Sequence, residues 1–143
     1  MQSGRVNSDP LLSGTETYLY IADDSALVRD RLRKIVEPME RVHTIGVAAE
    51  GITAIREILS LMPDIVILDL SLPAASGLEV LAEVKKHHPD IQVFIYTLER
   101  DTHFLEKAIS LGADGYFIKS LEEERLFDRL MEYELVDMKE SEP

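Results

Sequence analysis

Four short pieces of this sequence carry groups able to do chemistry: the pair Asp23-Asp24 with Ser25 behind it, Asp69, Thr97 and Lys119. Each follows directly on an apolar run. Singly, each has an ordinary explanation. Asp24 or Ser25 suits a helix N-cap, Asp69 suits a turn, Thr97 alone signals nothing, and an isolated lysine such as Lys119 is usually solvated. Together they would gather three carboxylates, a hydroxyl and an ammonium at one place. Carboxylates in contact repel one another. A hard divalent cation relieves this, and Mg²⁺ favours carboxylate oxygens plus retained waters. Two carboxylates can hold the ion while Asp69 stays ionised as a nucleophile. Its attack on a phosphoryl group would give an aspartyl-phosphate. Mg²⁺ and Lys119 would offset the charge on the transferring group, and the Thr97 hydroxyl would bond one of its oxygens.

The elements that must position these groups are legible as two alternating patterns. Apolar runs occur at 18–22, 42–47, 65–70, 91–96 and 116–118. Those at 18–21, 65–68 and 91–95 are apolar almost throughout, which suits parallel strands covered on both faces. Between them lie stretches of helical period. Val28, Leu32, Ile35, Val36 and Met39 share one helix face, with Pro38 ending the helix near Glu37. Ile52, Ile55, Ile58, Leu59 and Met62 repeat the pattern up to Pro63. Leu78, Leu81 and Val84 mark a third helix closed by Pro89, and Phe104, Leu105, Ala108 and Ile109 a fourth closed by Gly112. The last is expected to start near Ser120, with Glu123 completing a capping box, and to bury Leu126, Phe127, Leu130 and Met131. Five β-α units in succession imply an α/β fold, an open, doubly wound parallel sheet with helices on both faces. Ligands of such sheets gather beyond the carboxyl ends of the strands, where the four pieces lie.

Composition bounds the rest. A chain of 143 residues with 45% hydrophobic content is enough for one domain with a real core. The net charge of −12 disfavours direct contact with nucleic acid. There is no cysteine, and no apolar run long enough to span a bilayer. The polar start lacks a signal-peptide pattern, so a cytoplasmic location without membrane attachment is expected. Residues 1–16 are expected to be a flexible tail, 17–138 the domain and 139–143 a second tail. With 24 residues after Lys119, a further domain is not expected within the chain.

The sequence resembles the receiver domain of two-component response regulators over roughly residues 17–137. The resemblance rests on Asp23-Asp24, the segment Ile65-Val66-Ile67-Leu68-Asp69-Leu70-Ser71-Leu72-Pro73, then Gly77, Thr97, and Gly112-Ala113-Asp114-Gly115-Tyr116-Phe117-Ile118-Lys119. It implies the (βα)5 flavodoxin-like arrangement, a five-stranded sheet of order 2-1-3-4-5. It implies Asp69 as phosphoacceptor and Asp24 as the direct Mg²⁺ ligand, with Asp23 acting largely through water and the Ser71 carbonyl adding a ligand. Thr97 and Tyr116 would be the switch pair: phosphorylation draws Thr97 inward, and Tyr116 rotates into the space vacated. Lys119 would be the lysine of the site. The implied partners are a histidine kinase or phosphotransfer protein, a downstream protein, and a second copy through the fourth helix, fifth strand and fifth helix. Leu135, Val136 and Met138 are candidates for such a contact.

One position departs from the pattern. Leu98 follows Thr97 where receivers commonly carry a small residue, which predicts crowding of the acceptor and slow phosphoryl exchange. Two other readings stay open: an interaction module with impaired phosphorylation, and a receiver fragment of a larger regulator. Enzymes on similar sheets fit less well. A haloacid-dehalogenase-type phosphatase needs a second aspartate where this chain has Ser71, a flavodoxin needs a phosphate loop where it has Asp23-Asp24, and a Walker-type glycine loop is absent. The histidines, His43, His103 and the adjacent His87-His88, are read as solvated residues. Glu122-Glu123-Glu124 is read as negative charge suited to a helix start.

Overall fold

A computed structural model describes residues 16–135. Most of the expected N-terminal tail, Val136, Met138 and the expected C-terminal tail lie outside the described residues.

Five strands alternate with five helices: β1 (Thr17–Ala22), α1 (Ala26–Val36), β2 (Val42–Ala48), α2 (Gly51–Leu61), β3 (Ile65–Leu68), α3 (Gly77–His87), β4 (Gln92–Thr97), α4 (Thr102–Ser110), β5 (Gly115–Ile118) and α5 (Glu123–Glu134). All strand pairs are parallel, in the order β2-β1-β3-β4-β5. The expected doubly wound sheet and its strand order are therefore what the chain forms. No helix among the described residues is long and apolar enough to cross a membrane.

The continuous apolar runs follow from burial on both faces. In β3, Val66 and Leu68 point into one core with Ala54 and Ile58 of α2 and Val80, Leu81 and Val84 of α3. Ile65 and Ile67 point the other way, with Leu32 and Val36 of α1 and Leu126 and Leu130 of α5. Strands β1 and β4 split likewise: Tyr20, Val93 and Ile95 on the first side, Leu19, Ile21, Phe94 and Tyr96 on the second.

The helix ends show which local signals the chain uses. Ser25 caps α1, its hydroxyl accepting from the Val28 amide at 3.3 Å. Helix α2 ends on Met62 in left-handed conformation (φ 55°), just before Pro63. A reciprocal capping box does occur, but at Ser76 and Glu79 of α3. At α5 the expected box is absent and the helix begins three residues later. The Leu121 and Glu122 amides both turn back to the Ile118 carbonyl, which forces Ser120 to φ 72°. Glu123 is drawn to Arg31 instead.

Two glycines mark close approaches around the loop after β3. A Cβ on Gly51 would lie 2.0 Å from the Ala75 carbonyl oxygen, and one on Gly77 would lie 2.2 Å from that of Asp69. The obstacles are backbone, which cannot yield as a side-chain tip can. Gly77→Ala is expected to cost about 3 kcal/mol, the upper end of typical overpacking, read as a lowered urea midpoint. An unchanged midpoint would mean the loop relaxes freely.

Candidate functional site

Strand register brings the four pieces together. Ala22 pairs with Leu68, and the ladder runs one step further through the Asp69 amide, which donates to the Ala22 carbonyl at 3.0 Å. Asp23 and Asp69 therefore emerge side by side. On the other flank Thr97 pairs with Ile118, and the Lys119 amide donates to the Thr97 carbonyl at 2.8 Å. The Lys119 side chain then reaches back across the sheet. Its Nζ lies 2.8 Å from Asp23 Oδ2 and 2.9 Å from Asp69 Oδ2.

Each of these acids uses its second oxygen locally. Asp23 Oδ1 accepts from the Ser25 amide at 2.9 Å, and Asp69 Oδ1 from the Ser71 amide at 3.2 Å. Asp23, Asp69 and Thr97 are buried, at 2%, 4% and 2% exposure, whereas Asp24 is exposed. Ligand oxygens of Asp23, Asp24 and Asp69 all lie within 4.8 Å of one another. None of the four histidines belongs to this cluster. His43 faces Glu16 and His87 faces Glu83, while the His103 ring meets Phe104.

The electrostatics follow from burial. Desolvation pushes the Asp23 carboxyl above its ordinary value and the Asp69 charge adds to the rise. The Lys119 and Ser25 hydrogen bonds pull the other way without prevailing. Desolvation works against the Lys119 ammonium, but its bonds to Asp23 and Asp69 outweigh that and hold its pKa above the usual lysine value.

A cleft of about 960 Å³ opens over the site. Asp69, Thr97 and Lys119 line it, with Asp24 and Ser71. Leu98 also lines it and is 68% exposed. Thr97 Oγ1 accepts from the Glu99 amide at a long 3.4 Å. The Tyr116 hydroxyl donates to the Glu99 carbonyl at 3.0 Å, tying β5 to the loop after β4. Burial, helped by the charges of Glu99, Asp101 and Asp69, pushes that phenol up to about 12. Asp23, Asp24, Asp69, Ser71, Thr97 and Lys119 thus lie at the carboxyl edge of the sheet, whereas Tyr116 sits within β5 and only its hydroxyl reaches the loop after β4.

Tyr96, which is 5% exposed, Arg31 and Glu123 also line the cleft, and the sequence reading did not place them there. The guanidinium of Arg31 meets the Glu123 carboxylate through two nitrogens, one of them, NH2, at 2.7 Å from Oε1. No local signal announces that pair, because 92 residues separate its members.

Comparison with known proteins points the same way. Residues 19–131 match the family model described as response regulator receiver domain. The transcriptional regulatory protein YdfI of Bacillus subtilis (strain 168) is 37% identical over 107 residues, covering 75% of this chain and 50% of that protein. The oxygen regulatory protein NreC of a Staphylococcus epidermidis strain is 35% identical over 109 residues, 76% of this chain and 50% of that protein. The chain spans about half the length of the curated relatives it matches. Among solved structures, a DNA-binding response regulator of the LuxR family from Staphylococcus aureus is 30% identical with a TM-score of 0.75, covering 82% of this chain and 98% of that one. A CheY-like receiver domain protein from Methanospirillum hungatei, at 22% identity, TM-score 0.76, and 88% and 99% coverage, supports the fold alone.

Two predictions follow from the site's energetics. A carboxyl whose pKa rises on folding takes up protons between its unfolded and folded values, so its contribution to stability falls as pH rises through that interval. Asp23→Asn is therefore expected to be more stable than the parent at pH 7.5 without divalent cations. The advantage should vanish as pH falls below the ordinary value of 3.8, read by urea unfolding at several pH values. A less stable variant at pH 7.5 would mean that the Lys119 pairing outweighs burial. Tyr116→Phe, losing the bond to the Glu99 carbonyl, is expected to cost about 1 kcal/mol. No change would show that water replaces the hydroxyl.

Proposed function

The chain belongs to the response regulator receiver domain family of two-component signalling, and on that premise we propose that it is a switch phosphorylated on Asp69. The observation that carries this reading is the Lys119 ammonium held 2.9 Å from an Asp69 carboxylate that lines an open cleft. A buried carboxylate paired with an adjacent cation, yet reachable from the cleft, is equipped as a nucleophile.

An Asp69 oxygen forms the new bond to phosphorus. The bond from phosphorus to the donor, a phosphohistidine nitrogen or an acyl oxygen, breaks, and its electron pair leaves with the donor. Lys119 balances charge on the phosphoryl oxygens, and the Thr97 hydroxyl donates to one of them. Three carboxylates with oxygens within 4.8 Å and one ammonium between two of them suit a hard divalent cation. Asp23, Asp24, Asp69 and the Ser71 carbonyl would hold Mg²⁺. When bound, Mg²⁺ supplies further neutralisation of the transferring charge.

The readout rests on Thr97 and Tyr116. Bonding of Thr97 to the phosphoryl group shifts the loop whose Glu99 carbonyl now accepts from Tyr116, which alters the surface around β5 as a shift between two packings. The donor is a histidine kinase or phosphotransfer protein in the cytoplasm, and the output is a contact with another protein. The chain acts as a regulatory switch, its own chemistry confined to gaining and losing the phosphoryl group. Its charge of −12 argues against its contacting nucleic acid itself.

Incubation with Mg²⁺ and acetyl phosphate, followed by intact-mass spectrometry, is expected to add one phosphoryl group to the parent and none to Asp69→Asn. Uptake by Asp69→Asn would move the acceptor elsewhere. Failure of the parent with both acetyl phosphate and a cognate kinase would leave an interaction module whose phosphorylation is lost.

A further inference from the structure

The cleft over Asp69, at about 960 Å³, is larger than a phosphoryl group needs and falls within the range of small-molecule sites. The groups assigned so far account for one part of it. The rest of its lining is Leu27, Val28 and Arg31 of α1, Tyr96 of β4, Phe104 of α4 and Glu123 of α5, together with Leu98. Leu27 and Leu98 are 80% and 68% exposed, so apolar surface stands open beside the polar centre.

Among the described residues that line the cleft, the cations are Lys119 and Arg31. They differ in how far they are committed. The Lys119 ammonium bonds Asp23 and Asp69 and its side chain is 11% exposed. The Arg31 side chain is 66% exposed, and Glu123 takes only its Nε and Nη2. Its Nη1 has no hydrogen-bond partner among the described residues. A guanidinium is a planar fork with five donors, so a carboxylate on one edge leaves another edge open. Glu123 thus orients Arg31 without exhausting it.

Tyr96 shows that this pair lies within electrostatic reach of the centre. Burial raises its phenol above the ordinary value and the Glu123 charge adds to the rise. Lys119 and Arg31 oppose it, and Asp23 adds to it again. One side chain, 5% exposed, therefore senses the Arg31–Glu123 pair and the Lys119–Asp23 pair together.

The geometry of phosphoryl transfer decides what meets Arg31. The acceptor and the departing group stand in line on opposite sides of phosphorus. Asp69 is buried beneath the cleft, so the departing group lies out in its open part. The uncommitted cation there is Arg31, and the surface beside it is apolar. A donor that suits both is an acyl phosphate, whose departing atom is a carboxylate oxygen and whose acyl chain can cover Leu27 or Leu98. We infer that Arg31 sets donor specificity: it pairs with the carboxylate that departs, so that acyl phosphates are used in preference to small donors with an uncharged leaving group. This role rests on Asp69 as the acceptor and concerns the other end of the same reaction.

The step balances without a further reactant. An Asp69 oxygen forms the bond to phosphorus, the bond from phosphorus to the acyl oxygen breaks, and its electron pair leaves as the charge of the carboxylate. That charge grows only as the bond breaks. Pairing with Arg31 therefore strengthens toward the transition state and speeds the transfer. A donor that loses neutral ammonia, such as phosphoramidate, develops no such charge and gains nothing from Arg31.

Intact-mass time courses of the full chain with Mg²⁺, run with acetyl phosphate and separately with phosphoramidate, compare the two classes directly. In Arg31→Gln the ratio of the acetyl phosphate rate to the phosphoramidate rate is expected to fall about tenfold, the scale of one charged hydrogen bond at an exposed position. Arg31→Lys, which keeps the charge, is expected to recover part of the ratio. Labelling by phosphoramidate also shows that each variant is folded. A ratio unchanged in Arg31→Gln overturns the assignment. Equal slowing with both donors overturns it as well and gives Arg31 to the phosphoryl group or to packing. A parent labelled by phosphoramidate but not by acetyl phosphate overturns it and leaves Asp69 as acceptor untouched, whereas a parent inert to both removes that premise along with it.

Discussion

The Lys119 ammonium is the group on which the carboxyl edge of the sheet depends. A parallel sheet brings its strand ends to one line, and here β1 and β3 deliver carboxylates one ladder step beyond Ala22 and Leu68. Two buried anions side by side are unfavourable. A cation from β5, two strands away from β3, bridges them at 2.8 and 2.9 Å. The bridge does not remove the cost at Asp23, whose carboxyl stays displaced upward by burial. The edge is thus held in a state that further positive charge would relieve, as suits a site read as binding a divalent cation. A fold optimised for stability alone would place apolar residues there.

Much of the rest serves to keep that bridge in register. Apolar side chains alternate into two separate cores, so a one-residue slip of β3 would exchange Val66 and Leu68 with Ile65 and Ile67 and carry Asp69 to the wrong side. The close backbone contact at Gly77, 2.2 Å from the Asp69 carbonyl for any added Cβ, fixes the loop directly behind the acceptor. The bond from Tyr116 to the Glu99 carbonyl fixes the loop on the opposite rim.

How much of this was legible depended on the range of the interaction. The runs at 65–68 and 91–95 announce buried strands because burial on both faces leaves no polar position to break them. Asp69, Thr97 and Lys119 stand out because each ends such a run. Local rules did less well where a distant partner competes. Ser120 and Glu123 have the spacing of a capping box, yet Arg31 takes Glu123 and the turn onto the Ile118 carbonyl takes the backbone of Ser120. The box that forms, at Ser76 and Glu79, follows Pro73-Ala74-Ala75 with no apolar run to draw attention to it. Leu98 reads from sequence as a group that crowds the acceptor; it lines the cleft with Asp69 while 68% exposed, an exposure set by the loop and not by any local pattern. That Tyr96, Arg31 and Glu123 line one cleft could not be read at all, since they come from three separate elements.

The two carboxylates at the ends of α5 differ in kind, and the difference has a mechanical consequence. Glu134 accepts from two backbone amides, each at 2.7 Å, in the turn between α1 and β2. Glu123 meets only the side chain of Arg31, which is 66% exposed and able to swing. The start of α5 is nevertheless held to the frame as well, because the Glu122 carboxylate accepts from the Ile118 amide at 2.8 Å. Helix α5 is therefore a beam pinned to backbone at both ends, with the Arg31–Glu123 pair laid as a strap over the pin beside the cleft. Release of the strap frees a side chain at the mouth and leaves the beam in place.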